Sequence, residues 1–157
     1  MEDVVINICG YEVILSACDV ERVMAHKWYV SDKRGKSPYF RYEIYKPKLK
    51  RISLHRFIVD CPEGMEVDHI NLNTLDNRRS NLRICTRKEN SLNKPKQKNN
   101  TSGYKGVCWF KRKKRWKSTI HVNKKTIHLG FYNTPEEAYA AYCEASKKYH
   151  GEFGRIA

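Results

Sequence analysis

Four things are missing from this 157-residue chain, and each absence closes a class of explanation. No apolar run approaches the roughly 18–20 residues of a membrane-spanning helix, so a transmembrane protein is not expected. The start, Met1-Glu2-Asp3, is acidic and has no basic region leading into an apolar stretch, so no secretory signal is expected and the chain reads as cytoplasmic. There is no CxxC and no zinc-finger spacing. The six cysteines (Cys9, Cys18, Cys61, Cys85, Cys108, Cys143) therefore read as reduced thiols, with no structural zinc. Finally, residues 90–135 contain 12 Lys/Arg and not one Asp or Glu.

That last absence explains most of the net charge of +14 and turns attention to what is present. The basic stretch is interleaved with Tyr104, Trp109, Phe110 and Trp116, which a solvated tail would seldom contain. A polyanion is the expected partner, and nucleic acid is favoured over a membrane surface because no long amphipathic helix accompanies the charge.

The segment Asn93-Lys-Pro-Lys-Gln-Lys-Asn-Asn-Thr-Ser102 has no residue able to fill a core and reads as an exposed linker. We place domains at residues 1–93 and 103–157, with 94–102 between them. In the first, Val4 to Ile8, Tyr11 to Leu15, Trp28 to Val30 and Tyr39 to Tyr45 read as strands, with a short helix over Asp19 to His26 and a turn at Asp32-Lys-Arg-Gly35. In Tyr39 to Tyr45 alternation separates Phe40, Tyr42 and Ile44 from Tyr39, Arg41, Glu43 and Tyr45, without saying which set is buried.

Beyond the linker, Gly106 to Phe110, Trp116 to Val122 and Thr126 to Phe131 read as three strands joined by hairpins. Thr134, Pro135 and Glu137 open a helix with a capping box, and Ala138, Ala141, Tyr142, Ala145 and Tyr149 form its apolar stripe. Lys147 and Lys148 suit its C-terminal end, and Gly151 can stop it. The stripe should cover one face of the sheet, with Trp109 and Trp116 packed in the core, and leave the other face bare.

The chemistry-bearing stretch runs from Val67 to Thr86. Met65 to Ile70 reads as a strand, Asn71 to Ser80 as a loop and Leu82 to Cys85 as a second strand. Thr86 and Glu89 then cap a helix that carries Asn90. Strand, loop, strand and helix could gather Asp68, His69 and Asn90. A neutral imidazole near pH 6.5 can take a proton from water, so His69 is the expected general base. Asp68 and Asn90 offer oxygen ligands, which suit Mg²⁺, with Mn²⁺ as the alternative. Such an ion would stabilise the leaving oxygen of a phosphodiester. Asn81 is placed to fasten the loop or orient His69. Arg78, Arg79 and Arg83 are candidate phosphate clamps, and His55 reads as packing rather than phosphate contact.

This stretch resembles the ββα-metal motif of HNH homing endonucleases, often encoded by phages and mobile introns. The resemblance implies that Asp68 and Asn90 are the metal ligands, His69 the base and Asn81 the central asparagine. Leu54-His55-Arg56 also resembles a segment common in that family. Many members carry histidine where this chain has Asn90, which places it with the asparagine-ligand branch. Residues 104–142 resemble the plant ethylene-response-factor DNA-binding domain of the AP-two type, a three-stranded sheet backed by one helix.

The second resemblance implies that Lys105, Cys108, Phe110, Lys117, Thr119, His121, Thr126 and His128 face DNA, where a β surface can enter the major groove. Lys111, Arg112, Lys113, Lys114 and Arg115 would contact phosphates. The plant domains use several arginines and a tryptophan on that face, so their base contacts do not transfer. The expectation is an α+β protein: an HNH nuclease domain with extra strands, then a three-stranded antiparallel sheet on one helix. It would act as a monomeric, site-directed endonuclease on double-stranded DNA, without a small-molecule cofactor, in a bacterial or phage-infected cell. The alternatives are a non-catalytic DNA-binding regulator with a relic HNH fold, and an RNA-binding protein.

Overall fold

The computed structural model describes residues 2–31, 38–45 and 47–156, and the turn expected at Asp32 to Gly35 lies outside them. The chain divides into two compact units, Met1–Arg87 and Lys88–Ala157. Each mixes short antiparallel sheets with helices, an α+β organisation.

The first unit opens with a hairpin of β1 (Asp3–Ile8) and β2 (Tyr11–Ser16). Its turn, Cys9-Gly10, takes positive φ at both residues, the mirror-image geometry that matches strand twist. A 3₁₀ turn at Ala17–Asp19 leads into α1 (Val20–Met24), which lies within the short helix expected over Asp19 to His26. A second sheet has the order β3 (Tyr29–Val30), β4 (Phe40–Ile44), β5 (Lys50–Ser53). The short helix α2 (Leu54–Ile58) follows. In β4 the face carrying Phe40 and Tyr42 turns inward: Phe40 is buried and joins the core with Val13, Leu15, Val23, Trp28, Leu54 and Ile58. Trp28 anchors that core with a polar tip, its Nε1 donating to the Val23 carbonyl at 2.8 Å.

The third pair, β6 (Glu66–His69) and β7 (Leu82–Cys85), sets Val67 opposite Ile84, Asp68 opposite Arg83 and His69 opposite Leu82. Val67 and Leu82 reach the core of this unit. Between the strands, residues 70–81 form a loop that docks on β2. Ile14 donates to the Leu75 carbonyl at 2.9 Å, and Asn77 donates its backbone N–H to the Ile14 carbonyl at 2.8 Å. α3 (Arg87–Leu92) starts directly after Thr86.

The second unit is a sheet of order β10-β9-β8 with a helix behind it. Its strands are β8 (Val107–Phe110), β9 (Arg115–Val122) and β10 (Lys125–Tyr132). The helix is α4 (Pro135–His150). Thr134 caps it by accepting from the Glu137 N–H at 3.2 Å, and the Glu137 carboxylate reaches back to the Asn133 N–H at 3.1 Å. Ile120, Tyr142 and Ala145 are its buried centre, flanked by Val122, Ile127 and Leu129. The sheet face carrying Ile120 therefore meets the helix, as the alternation in β9 and β10 requires.

Trp109 corrects the core-packing expectation, being 44% exposed. It meets Trp116 edge to face at 5.2 Å across β8 and β9. Trp116 is half-buried, on the β9 face that carries Ser118 and Ile120.

Candidate active site and nucleic-acid face

His69 ends β6 and is buried, as is its neighbour Asp68. The register explains what Asp68 meets. Opposite it on β7 stands Arg83, whose Nε and Nη2 donate to Asp68 Oδ2 at 2.9 and 2.7 Å. The guanidinium thus neutralises a carboxylate that burial alone would penalise.

The His69 ring is walled by two others. His55, from α2, lies 5.4 Å away edge to face, and Tyr39 lies 6.2 Å away. Burial holds the His69 imidazole below its ordinary pKa, against the opposing pull of Asn77, Asp68 and Asp76. Burial, with His69 and Arg56 adding, presses His55 down to about 3. Both rings are therefore neutral near pH 7, the form in which a histidine accepts a proton. Burial, with Asp68 adding, raises the Tyr39 hydroxyl above its usual value, so it stays protonated.

The asparagines divide the structural work. Asn81 fastens the loop: its Oδ1 accepts from the Asn71 N–H at 3.0 Å and its Nδ2 donates to the Asp76 carbonyl at 2.7 Å. The asparagine that faces the His69 ring is Asn77, with Oδ1 at 3.3 Å from Nε2. Asn77 lies in the loop expected at Asn71 to Ser80, where the sequence alone assigned it no role. Its signal was the polar run Asp76-Asn-Arg-Arg in a segment with too few apolar residues to bury itself otherwise. Tyr39 was likewise missed, because it precedes β4, in a different sheet from His69, and reaches that ring only through tertiary packing.

The three candidate clamps are all engaged within the first unit. Arg78 holds the buried Asp76 through Nε and Nη2 at 2.7 and 2.6 Å, and reaches Asp3 at 2.7 Å. Arg79 holds the buried Asp19 at 2.8 and 2.7 Å. Arg83 holds Asp68. Their geometry serves the loop and the carboxylate; none is an arginine held ready for a phosphate alone.

Among the described residues no group of three or more His, Cys, Asp or Glu side chains converges. A cation here would draw on carboxylate, carboxamide and water oxygens, a donor set that fits a hard divalent ion. Asp68, the carboxylate expected from the sequence, stands in β6, and Asn90, the expected carboxamide, belongs to α3 of the second unit.

In the second unit, the sheet face away from α4 presents Cys108, Lys117, Thr119, His121, Thr126 and His128. His121 Nδ1 meets Thr126 Oγ1 at 3.0 Å across the β9–β10 pair. His128 Nδ1 accepts from the Gly130 N–H at 2.9 Å. Phe110 and Phe131 meet at a tilt, 5.3 Å apart, on this face, and Lys113 Nζ lies 4.2 Å over the Phe131 ring. Lys111, Arg112, Lys113, Lys114 and Arg115 are exposed in the β8–β9 connection.

Lys105 is differently employed. It is half-buried, and its ammonium donates to the Leu92 and Lys94 carbonyls, both at 2.8 Å. Asn100 and Ser102 donate to the Val107 carbonyl at 3.5 and 2.8 Å, so the segment expected to be a linker is tied along the sheet. Between that segment and the sheet lies a cleft of about 690 Å³, bordered by Lys94, Lys96, Lys105 and His121.

Comparison with known proteins gives a consistent picture. The HNH endonuclease family matches residues 60–92, and the AP2 domain matches residues 102–152. Protein 3.8 of Escherichia phage T7 is 35% identical over 95 residues, covering 60% of this chain and 78% of the phage protein. A protein of Acanthamoeba polyphaga mimivirus, described as an uncharacterized HNH endonuclease, is 33% identical over 134 residues. That alignment covers 83% of this chain and 66% of the mimivirus protein, just under two thirds. No solved structure matches.

Proposed function

Since the chain belongs to the HNH endonuclease family and carries an AP2 domain after its nuclease segment, we propose that it is a site-directed DNA endonuclease of the homing kind. The observation that carries this reading is the His69 imidazole, neutral and walled by aromatic rings, beside the ion-paired carboxylate of Asp68 within the family's matched segment.

In this mechanism His69 accepts a proton from water, and the oxygen so freed forms a bond to phosphorus. The bond to the 3′ oxygen breaks, and its electron pair leaves on that oxygen, which takes a proton from solvent. Asp68, with Asn90, would hold one Mg²⁺ or Mn²⁺, whose charge offsets that of the phosphate and the departing oxygen. Arg83 keeps Asp68 placed until then. The AP2 domain supplies affinity through Lys111 to Arg115 on phosphates and register through Lys117, Thr119, His121, Thr126 and His128 in the groove. The protein acts as a monomer on duplex DNA in the cytoplasm of a bacterial or phage-infected cell.

Strand-resolved mapping of cuts on DNA flanking its own gene, with and without Mg²⁺, tests the reading. Cleavage should need the ion and disappear in His69→Ala while duplex binding survives. A variant that cuts as well as the parent removes His69 from the mechanism. One observation favours a second reading, a non-catalytic DNA-binding regulator: Arg83 already occupies Asp68. Shifted but uncut DNA across several divalent metals, with the correct target present, would establish that alternative.

A further inference from the structure

We infer that the outer face of β4 is where one DNA strand runs past the site, with Arg41 gripping a phosphate that flanks the scissile one. The inference rests on reading the chain as a DNA endonuclease. Arg41 differs from the three arginines first considered as clamps. Arg78, Arg79 and Arg83 each hold a buried carboxylate. The Nε of Arg41 is buried without a hydrogen-bond partner among the described residues, and the carboxylate it approaches, Glu43, stays 3.9 Å away. That carboxylate is already taken: Arg51 Nε donates to its Oε1 at 2.9 Å and the Tyr45 hydroxyl to its Oε2 at 2.9 Å. A guanidinium with donors left over, in a fixed fork, matches a phosphate.

Alternation sets the direction in which Arg41 points. Phe40 and Tyr42 enter the core, so Arg41 and Glu43 stand on the opposite face. Register places Tyr29 on one side of Arg41 and Ser53 on the other, with Arg51 across from Glu43. Lys27 Nζ lies 5.8 Å over the exposed Tyr29 ring. Glu43 is the only acid in these three strands, so the face joins hydroxyls to an excess of cations. The ladder also continues past the end of β4, because Ser31 donates its N–H to the Tyr39 carbonyl at 2.8 Å. Tyr39 and Arg41 are therefore spaced as in a strand, about 7 Å apart. The Tyr39 ring, partly exposed, lies 6.2 Å from that of His69. Tyr39 thus joins the face to the site.

The test is ethylation interference with the full-length protein, in which single phosphates of a duplex are neutralised and bound molecules are separated from free ones. The probe is the duplex from the flanks of its own gene that the protein binds most tightly, without divalent ion so that the strands stay whole. In Arg41→Gln, interference should vanish at one phosphate or two adjacent ones. These should lie within about four nucleotides of the cut mapped for the parent, at about 3.4 Å per nucleotide of a strand. Interference elsewhere should persist, which shows that the variant is folded. Affinity should fall about 10- to 100-fold, and the plot of log affinity against log salt should lose about one unit of slope. Arg41→Lys, which keeps the charge, should recover the slope. An unchanged pattern in Arg41→Gln overturns the proposal, as does a change remote from the cut or a uniform loss at every phosphate. Failure of the nuclease reading looks different: the parent cuts neither strand, while contact at one phosphate still depends on Arg41.

Discussion

At the residue scale, charge placement in the first unit is a matter of buried carboxylates. Asp76 accepts from Arg78 and, at 2.8 Å, from Asn71 Nδ2, and the Arg78 guanidinium holds its pKa below the ordinary carboxylate value. A carboxyl depressed in the folded state adds stability that is complete above its unfolded pKa and is lost as pH falls through the folded one. Stability should therefore decline on acidification below about pH 4, in part because Asp76 must take a proton. Arg78→Ala leaves that carboxylate buried without its partner, so denaturant unfolding at pH 7 should show a lower midpoint than the parent. The same variant should lose less on acidification than the parent, because protonating Asp76 then relieves a penalty.

At the element scale, the second unit depends on close approach between sheet and helix. Gly106 has φ +77°, and a Cβ there would stand 2.2 Å from Tyr142 Cδ2 and 2.7 Å from the Thr119 carbonyl. Gly106→Ala should cost about 2–3 kcal/mol by strain and overpacking together, read as a lower denaturant midpoint with unchanged slope. This unit was the more readable in sequence. Its two-residue alternation and the Thr134-Pro135-Glu137 signal are local, and local patterns survive folding. The first unit was harder. The sequence assigns no element to β5 and α2, a stretch where Lys48, Lys50 and Arg51 give no apolar alternation. Pairing with β4, Ile52 opposite Tyr42, makes the strand, and Leu54 and Ile58 make the helix by entering the core. The partners of Arg78 and Arg79, Asp3 and Asp19, stand 75 and 60 residues away along the chain, beyond any local pattern. Within the candidate site, Asp68 and His69 could be named from motif and chemistry. Asn77 could not be separated from Asn81 until the loop was folded.

For the whole molecule, the distribution of charge sets how it should meet DNA. Of the basic side chains in residues 90–135, Lys105 is spent on carbonyls of its own chain, whereas Lys111 to Arg115 are exposed. If about 6–10 such groups neutralise phosphates, affinity for duplex DNA should fall on the order of 10³- to 10⁵-fold between 50 and 200 mM salt. A nearly flat salt response, measured by anisotropy on one duplex, would contradict an electrostatic grip. The HNH match spans residues 60–92, yet the loop between β6 and β7 borrows its backing from β2, outside that span. Ile14 bonds to Leu75 and Asn77 through the main chain, and Ser16 accepts from the Arg79 N–H at 3.1 Å. The opening hairpin is thus a buttress: cut the protein back to its motif, and both chemical side chains would survive while the ground they stand on went with the discarded piece.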